Sequence, residues 1–558
     1  MKSKVKQQRL PLGISDFRKL RERNDYYTDK SDFIDEIIDS SAEVILLPRP
    51  RRFGKTLNMS MLQCFFEKCD ADRAYLFDGL KIRDRDCFKT HQGQYPVISF
   101  TFKDLKELSY ESFSRKMKKL VQLEFERHDR VLQSDIITRI EKRFINSVLN
   151  DTAHPEEYSD ALFFLSRCLT RYYDTRTIIL IDEYDTPLNA GYLYGYYQEV
   201  VNFIRNFLSA GLKDNPNVFK GVITGILRVA KESIFSGFNN PGVYTLLDRN
   251  FSEYFGFSED DVKALLSAYD MLGRYDEVSH WYNGYKFGDL VMYNPWSVIG
   301  YLDNQGQAKP YWINTADMSV IERLMTREGR ELKMELDKLL EGKTIEKPIY
   351  ESIVMRDLDK LSDLLWSFLL FSGYLKAVRK TDDDSWEMTV PNHEVMYIYR
   401  TLVKKWFTGK VEHNLLMDMI QALEASDMNL FERLLRKIVT EIMSFHDLAG
   451  EPEKVYHAMV LGMLTWMSGK YDIRSNRESG YGRFDIMMKP KNIKARGIII
   501  EFKKIETKSK DAYKEVLEDA LGQIEKRGYA SELEAAGITD ILKIAVAFRG
   551  KELWLTSE

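Results

Sequence analysis

The chain has 558 residues, of which 44% are hydrophobic and 30% charged, and a formal net charge of −4. At roughly 100–200 residues per domain this length holds about three to four domains, and the composition is that of an ordinary globular protein, which excludes global disorder. The near balance of 81 Lys plus Arg against 85 Asp plus Glu excludes an overall basic footprint for nucleic acid or an anionic membrane, so any nucleic-acid contact must be local.

The amino-terminal "MKSKVKQQRLPLGISDF" is basic but is not followed by the apolar core of a signal peptide, and no apolar run approaches the ~18 residues that cross a bilayer. Cys64, Cys69, Cys87 and Cys168 form no C-x-x-C pair and are too few for a disulfide framework in so long a chain. A cytoplasmic setting without membrane contact is expected.

The first 250 residues alternate strand-like runs ("EVILL", "YPVISFTF", "RTIILIDEY", "VFKGVITGIL") with helical patterns such as residues 113–127 and 196–212. That alternation predicts a parallel sheet covered by helices. After the first strand, "RPRRFGKT" meets the end of the phosphate-loop pattern G-x-x-x-x-G-K-[ST] at Gly54, Lys55 and Thr56, but its first glycine position is Arg49, between Pro48 and Pro50. A strand before and the helical "TLNMSMLQCFFEK" after would aim backbone N–H groups at an anion, with Arg49, Arg51 and Arg52 offsetting the missing glycine by charge. The alternative is a basic turn without a ligand. "RTIILIDEYDTPL" reads as a buried strand ending in two acids, where Asp182 would hold Mg2+ and Glu183 would act as general base on the attacking water. Thr224, at the next strand end, could orient that water, and Arg228 could neutralise developing charge. Taken singly, they read as a turn cap and a surface residue.

From about residue 252 the texture changes to helices ("SEDDVKALLSAY") and aromatic loops ("WYNGYKFGDLVMYNPWSVIGYL"), then to a mostly helical stretch from about 317 to 450 with a hairpin around "TDDDSWEMTVPN". The last hundred residues read as a helix, the strands "FDIMMKP" and "IIIEFKK" joined by a turn, a helix through "EVLEDALGQIEK" and the strand "LKIAVAF". Asp485 belongs to the first of these strands and Glu501 and Lys503 to the second, where a spacing of two puts them on one face. Two carboxylates and a lysine so placed could bind Mg2+ and orient a water for attack on a phosphodiester; the plainer reading is an edge strand ending in solvated charges.

Two resemblances bear on these alternatives. "LPLGISDFRKLRERNDYYTDKSDFI", "RPRRFGKTLNMSML", "IDEYDTPL", "LRVAKESIFSGFNN" and "WYNGYKFG…MYNPWSV" resemble the bacterial AAA-ATPase-like family over about residues 7–300, a family in which the loop's first glycine is characteristically replaced. That likeness implies ATP and Mg2+ as ligands. Arg52, Phe53, Gly54, Lys55, Thr56, Asp182, Thr224 and Arg228 would form the nucleotide site, Thr56 and Asp182 the metal pair, and Glu183 the catalytic base. "YHAMVLGML", "SNRESGYGRFDI", "IIIEFKK" and "ALGQIEKRGY" resemble the PD-(D/E)XK nuclease superfamily over roughly residues 452–550. This implies Asp485, Glu501 and Lys503 as catalytic residues, Asp485 and Glu501 as metal ligands, Gln523 as a helper and DNA or RNA as partner. The acid that many such nucleases carry in their first helix has Glu453 as its candidate here.

The expected fold is therefore α/β: a P-loop NTPase parallel sheet with helices (1–250), a mostly helical lid or linker (251–450) and a restriction-endonuclease-like α/β domain (451–558). The preferred function is an ATPase gating a Mg2+-dependent nuclease. The alternative is an ATP-switched module that binds nucleic acid or protein without cutting.

Overall fold

The computed structural model describes residues 8–228, 241–312, 330–353, 355–357, 362–408, 413–442, 452–467, 469–475, 478–479, 482–505 and 512–558. The segment "VAKESIFSGFNN", residues 317–329 and 443–450 of the expected helical stretch, and the side chain of Glu453 lie outside what is described. The chain divides into two compact units, Met1–Leu324 with Glu346–Val395 and Met325–Ile345 with Met396–Glu558, a division that follows neither of the boundaries read near 250 and 450.

The first unit is built on the parallel sheet that the βα alternation calls for. Its strands are β1 (Val44–Pro48), β2 (Val97–Thr101), β3 (Thr177–Asp182), β4 (Val218–Gly225) and the short β5 (Gly242–Val243), in the order β2-β3-β4-β1-β5. β1 and β3 are buried at every position, as strands covered on both faces must be, which explains their continuous rather than alternating apolar text. Register then decides function: Leu47 pairs with Thr224, Ile181 with Ile223 and Thr101 with Asp182, so the carboxyl ends of β1, β4 and β3 finish side by side. The crevice outside those ends is where open α/β sheets bind ligands.

The stretch read as aromatic loops is more ordered than expected. Tyr285–Phe287 and Leu290–Met292 form a hairpin whose turn uses Gly288 at φ 55°, and a helix follows over Pro295–Asp303. Asn294 starts that helix by accepting the N–H groups of Trp296 and Ser297, with Pro295 at its first position, where a missing N–H costs nothing. The hairpin around "TDDDSWEMTVPN" pairs Lys376–Lys380 with Ser385–Thr389.

The second unit carries a mixed sheet of β6 (Tyr471–Ser475), β7 (Ile486–Pro490), β8 (Gly497–Lys504), β9 (Ile541–Arg549) and β10 (Glu552–Ser557), in that spatial order, antiparallel except for β8 beside β9. In β8 the period-two rule sorts the side chains. Ile498, Ile500 and Phe502 enter a core shared with Leu416, Leu435 and Tyr456, while Ile499 packs with Ala520 and Ile524 of the helix Ala512–Lys526. Helices His413–Glu424 and Met428–Ile442, read from sequence as linker, thus supply part of this unit's core.

A buried carboxylate ties together the end of the first unit's core. Glu394 is fully buried, accepting the Ser297 hydroxyl and the Trp312 N–H at 2.7 Å each. Burial pushes its carboxyl up to about 7, against an ordinary value of 4.5. The folded state then holds the proton more tightly than the unfolded chain, so stability falls as pH rises from the ordinary carboxyl value through neutrality. Glu394→Gln keeps an oxygen to accept the Trp312 N–H and turns an amide N–H to the Ser297 oxygen, as the protonated carboxyl would, and should flatten that decline, gaining on the order of 3 kcal/mol over the wild type at alkaline pH. Denaturant unfolding across that pH range measures it; parallel profiles for the two proteins would remove Glu394 as the source.

Candidate functional site

Between β1 and the helix Lys55–Phe66 the chain makes a tight loop in which Arg52 and Gly54 both adopt left-handed backbone, φ 69° and 86°. Glycine takes that conformation freely and arginine at a cost, so the turn is held by its surroundings. The Arg52 guanidinium lies 4.3 Å over the Trp296 ring, Phe53 is buried against Tyr285 and Phe287, and the Phe53 carbonyl accepts the Gly256 N–H. Phe53 therefore acts as an anchor through its ring, leaving only its backbone N–H for a ligand.

Arg49 does not stand where a charge substitute for glycine would. Its guanidinium turns into the protein, donating to the carbonyls of Pro48 and Tyr244 at 2.9 and 2.7 Å, and it lies over the rings of Phe255 and Phe287. It is fully buried, and burial lowers its pKa to about 10. The expectation that Arg49 faces a phosphate is thus corrected. The carbonyls of Arg49 and Pro50 accept the Lys55 ammonium at 3.0 and 2.9 Å, so the opening of the loop seats the lysine.

Asp182 is the centre of the arrangement. One carboxylate oxygen accepts the Thr56 hydroxyl at 2.6 Å and the other the Thr224 hydroxyl at 2.5 Å. These three residues come from the loop helix, β3 and β4, joined by the register of the sheet. Burial raises the Asp182 pKa while the two hydroxyls oppose the rise. A Mg2+ ion fits this donor set, a carboxylate beside a hydroxyl with room for waters and phosphate oxygens. Glu183, just beyond the strand, takes a left-handed φ of 56°, and its carboxylate accepts the Thr186 hydroxyl at 3.2 Å. It borders, with Lys55 and Thr56, a cavity of about 390 Å3 whose other walls include Leu12, Tyr26, Lys30 and Trp296. Arg228 stands apart from this cluster: its guanidinium is 3.8 Å from Glu351, and its carbonyl accepts the Ile353 N–H.

Sequence reading missed Asp185. It is buried and accepts the N–H groups of Ile226 and Leu227 at 2.9 Å each, fastening the turn after β4 to the turn after β3. Gly225 is required there, since an added Cβ would meet the Tyr184 ring at 2.7 Å and Asp185 at 2.8 Å. The third acid of "IDEYD" was the available signal. Trp296 and Asn294, which reach the loop from "MYNPWSV", could be found only once the fold was known.

In the second unit Asp485, Glu501, Lys503 and Gln523 do meet. The Phe502 N–H donates to Asp485 at 2.7 Å, and Lys503 donates to the Gln523 side-chain oxygen at 2.7 Å while lying 3.4 Å from Glu501. The Gln523 amide in turn donates to Glu501, and its second contact is Tyr529 at 3.0 Å. Burial, then the Asp485 carboxylate, pushes Glu501 well above the ordinary range. The other Glu501 oxygen is buried without a hydrogen-bond partner among the described residues. That orphaned oxygen fits a cation shared with Asp485, although among the described residues no cluster of three or more His, Cys, Asp or Glu is arranged around a metal position. No helix among the described residues is long and apolar enough to cross a membrane.

Residues 11–235 match the family described as Predicted AAA-ATPase, and residues 451–558 match the PD-(D/E)XK nuclease superfamily. A protein of Azotobacter chroococcum mcd 1, named "Uncharacterized protein in vnfD 5'region", is 28% identical over 326 residues, covering 58% of this chain. The chain spans 57% of that relative's length.

Restoring the consensus glycine should harm the loop. Arg49→Gly would leave buried carbonyls of Pro48 and Tyr244 without their donor and add backbone freedom, costing about 3 kcal/mol. Thermal melting should fall and ATP affinity should not rise; tighter ATP binding by calorimetry would show that Arg49 obstructs the site instead of bracing it.

Proposed function

We propose that this chain, which joins an AAA-ATPase-like domain to a PD-(D/E)XK nuclease superfamily domain, binds ATP with Mg2+ in its first unit, hydrolyses it, and cleaves nucleic-acid phosphodiesters with the Asp485 site of its second. The observation that carries the first half is the Asp182 carboxylate held between Thr56 and Thr224. The backbone N–H groups of the loop cradle the β-phosphate, and Lys55 shifts from its own loop carbonyls to the β/γ oxygens. Thr56 and Asp182 would hold Mg2+, which would supply positive charge toward those oxygens. Glu183 accepts the proton of the attacking water, and Thr224, fixed by Asp182, orients it. The cavity that continues past Trp296 takes the base and ribose. Four cysteines with no paired spacing support a cytoplasmic setting.

In the second unit, Asp485 and Glu501 would hold a divalent metal, which would supply Lewis-acid activation of water and phosphodiester. Lys503 neutralises the developing charge, and Gln523 holds Lys503 and Glu501 in one frame. A second reading rests on that same glutamine: with it bound to both groups, the unit grips nucleic acid without cutting it.

Lys55→Ala should abolish ATP binding in calorimetry, and unchanged affinity would make the loop structural. Glu183→Gln should keep binding and slow phosphate release by about 100-fold or more. Trp296→Ala should weaken ATP by about tenfold and inorganic triphosphate by less, because it removes both the wall for the base and the ring beneath the Arg52 turn.

Asp485→Ala and Lys503→Ala should each abolish Mg2+-dependent cleavage of labelled DNA or RNA while ATP binding persists. A wild type that binds nucleic acid in a salt-dependent manner and never cuts it selects the second reading.

A further inference from the structure

With Arg228 held near Glu351, the role of neutralising charge on a terminal phosphate stands open in the first unit. The loop that follows β2 can fill it. β2 lies beside β3 on the side away from β4 and β1, with Thr101 opposite Asp182, and the Phe102 N–H donates to the Asp182 carbonyl at 2.9 Å. Crossing the strand ends from the phosphate loop, the order is therefore Thr224, then Asp182 and Glu183, then this loop. Neighbouring strands lie about 4.8 Å apart, so a lysine one strand beyond Asp182 is long enough to reach a phosphate beside that acid.

The loop is braced from behind. Phe102 and Leu105 are buried, and the Leu105 N–H closes a turn on the Phe102 carbonyl at 3.0 Å. The Asp104 carbonyl accepts the Lys116 ammonium at 3.1 Å, and the Glu107 carbonyl accepts the Tyr196 hydroxyl. Lys103 and Lys106, set between and after these anchors, are exposed and line the same cavity as Lys55, Thr56 and Glu183. Among the described residues neither ammonium has a hydrogen-bond or ion-pair partner, although Asp104 and Glu183 border that cavity too. Other cations of the wall are already engaged: Lys30 pairs with Asp261 at 2.7 Å, Arg52 lies over Trp296 and Lys55 donates to its loop carbonyls. Arg51 belongs to the phosphate loop itself, at the β1 end of the row. A cleft lined in this way by one sign of charge draws an anion to it, and the anion's far end meets Lys103 and Lys106.

We propose that Lys103 and Lys106 contact the γ-phosphate of a bound nucleoside triphosphate and neutralise the charge on it during hydrolysis, so that the chain supplies its own cations for telling triphosphate from diphosphate. This rests on the reading of the first unit as an ATP-hydrolysing site. As water attacks the γ-phosphorus, its bond to the β–γ bridging oxygen breaks and Glu183 takes the water's proton. The two ammonium groups donate to the outer oxygens of the transferring group, and ADP and inorganic phosphate result.

The test uses the full chain as wild type, as the double variant Lys103→Ala with Lys106→Ala, and as the double variant Lys103→Arg with Lys106→Arg. Both lysines are exposed, so melting curves should coincide. Calorimetry with Mg2+ compares ADP with the β,γ-imido analogue of ATP, and phosphate release from ATP gives kcat. The double alanine variant should bind the analogue about tenfold more weakly and ADP less than about twofold more weakly, with kcat down by about 100-fold. The double arginine variant keeps both charges and should recover the preference for the analogue. Equal losses for ADP and the analogue would assign the lysines to the general field of the cavity, and unchanged affinities and kcat would leave them solvated. Either result overturns the proposal while nucleotide binding by the wild type stands. If the loss is selective for the analogue and the wild type releases no phosphate, the γ-phosphate contact stands and the hydrolysis reading fails. A wild type that binds neither ADP nor the analogue overturns both.

Discussion

The first unit depends on keeping one carboxylate, that of Asp182, inside the protein with both oxygens satisfied. An ionisable group without partners at that depth would cost several kcal/mol or lose its charge. Here two hydroxyls donate to it, each bond to a charged acceptor contributing about 1.5–3 kcal/mol. Neither donor is a neighbour in sequence. Thr224 reaches Asp182 because β4 lies beside β3 in a register that ends both strands together, and Thr56 reaches it because β1 lies on the far side of β4. A different strand order would leave the acid unpaired. Asp185 and Gly225 serve the same end, since they lock the turns after β3 and β4 against each other.

That constraint gives the altered loop a physical explanation. A glycine at the start of a phosphate loop lets the backbone approach the anion without a side chain in the way. This chain has Arg49 there and sends its side chain inward, where it ties β1 to the segment carrying Tyr244 and Phe251. The carbonyls at the mouth of the loop consequently meet Lys55, and the anion-facing surface contracts to the stretch from Arg52 to Thr56. Trp296, beneath the Arg52 guanidinium, braces the remaining left-handed turn from outside. At Arg49 the loss of one glycine is thus compensated by packing, while Arg51 and Arg52 line the cavity beside Lys55.

What was legible in the sequence follows from how locally each feature is encoded. The four main strands of the first sheet, the helix after the loop and the shared face of Glu501 and Lys503 are set by runs of a few residues, and these were read directly. So were the two likenesses, read over about 7–300 and 452–550 and matched by family over residues 11–235 and 451–558. The direction of Arg49 was misread because it depends on carbonyls about two hundred residues away. Arg228 was grouped with the phosphate residues on proximity in sequence, whereas the fold sets it near Glu351. The aromatic stretch looked irregular because its hairpin strands are only three residues each, too short for a periodic pattern to show. The helices before residue 450 read as linker because their apolar faces are filled by strands that come later in the chain.

The two sites solve the same electrostatic problem to different degrees, and the difference bears on what each requires from a ligand. At Asp182 both carboxylate oxygens already have donors, so the protein alone stabilises the acid and a cation must share or displace a hydroxyl. At Glu501 one oxygen has Gln523 and the other has no hydrogen-bond partner among the described residues, while Asp485 adds a second acid nearby. A buried acceptor left open costs about 1–3 kcal/mol, and crowding it with another carboxylate favours retention of a proton. Both penalties vanish when a divalent cation occupies the space between the acids. The strain built into Glu501 is therefore a stronger argument for a metal than the satisfied geometry at Asp182, where the sheet would hold its shape with or without nucleotide.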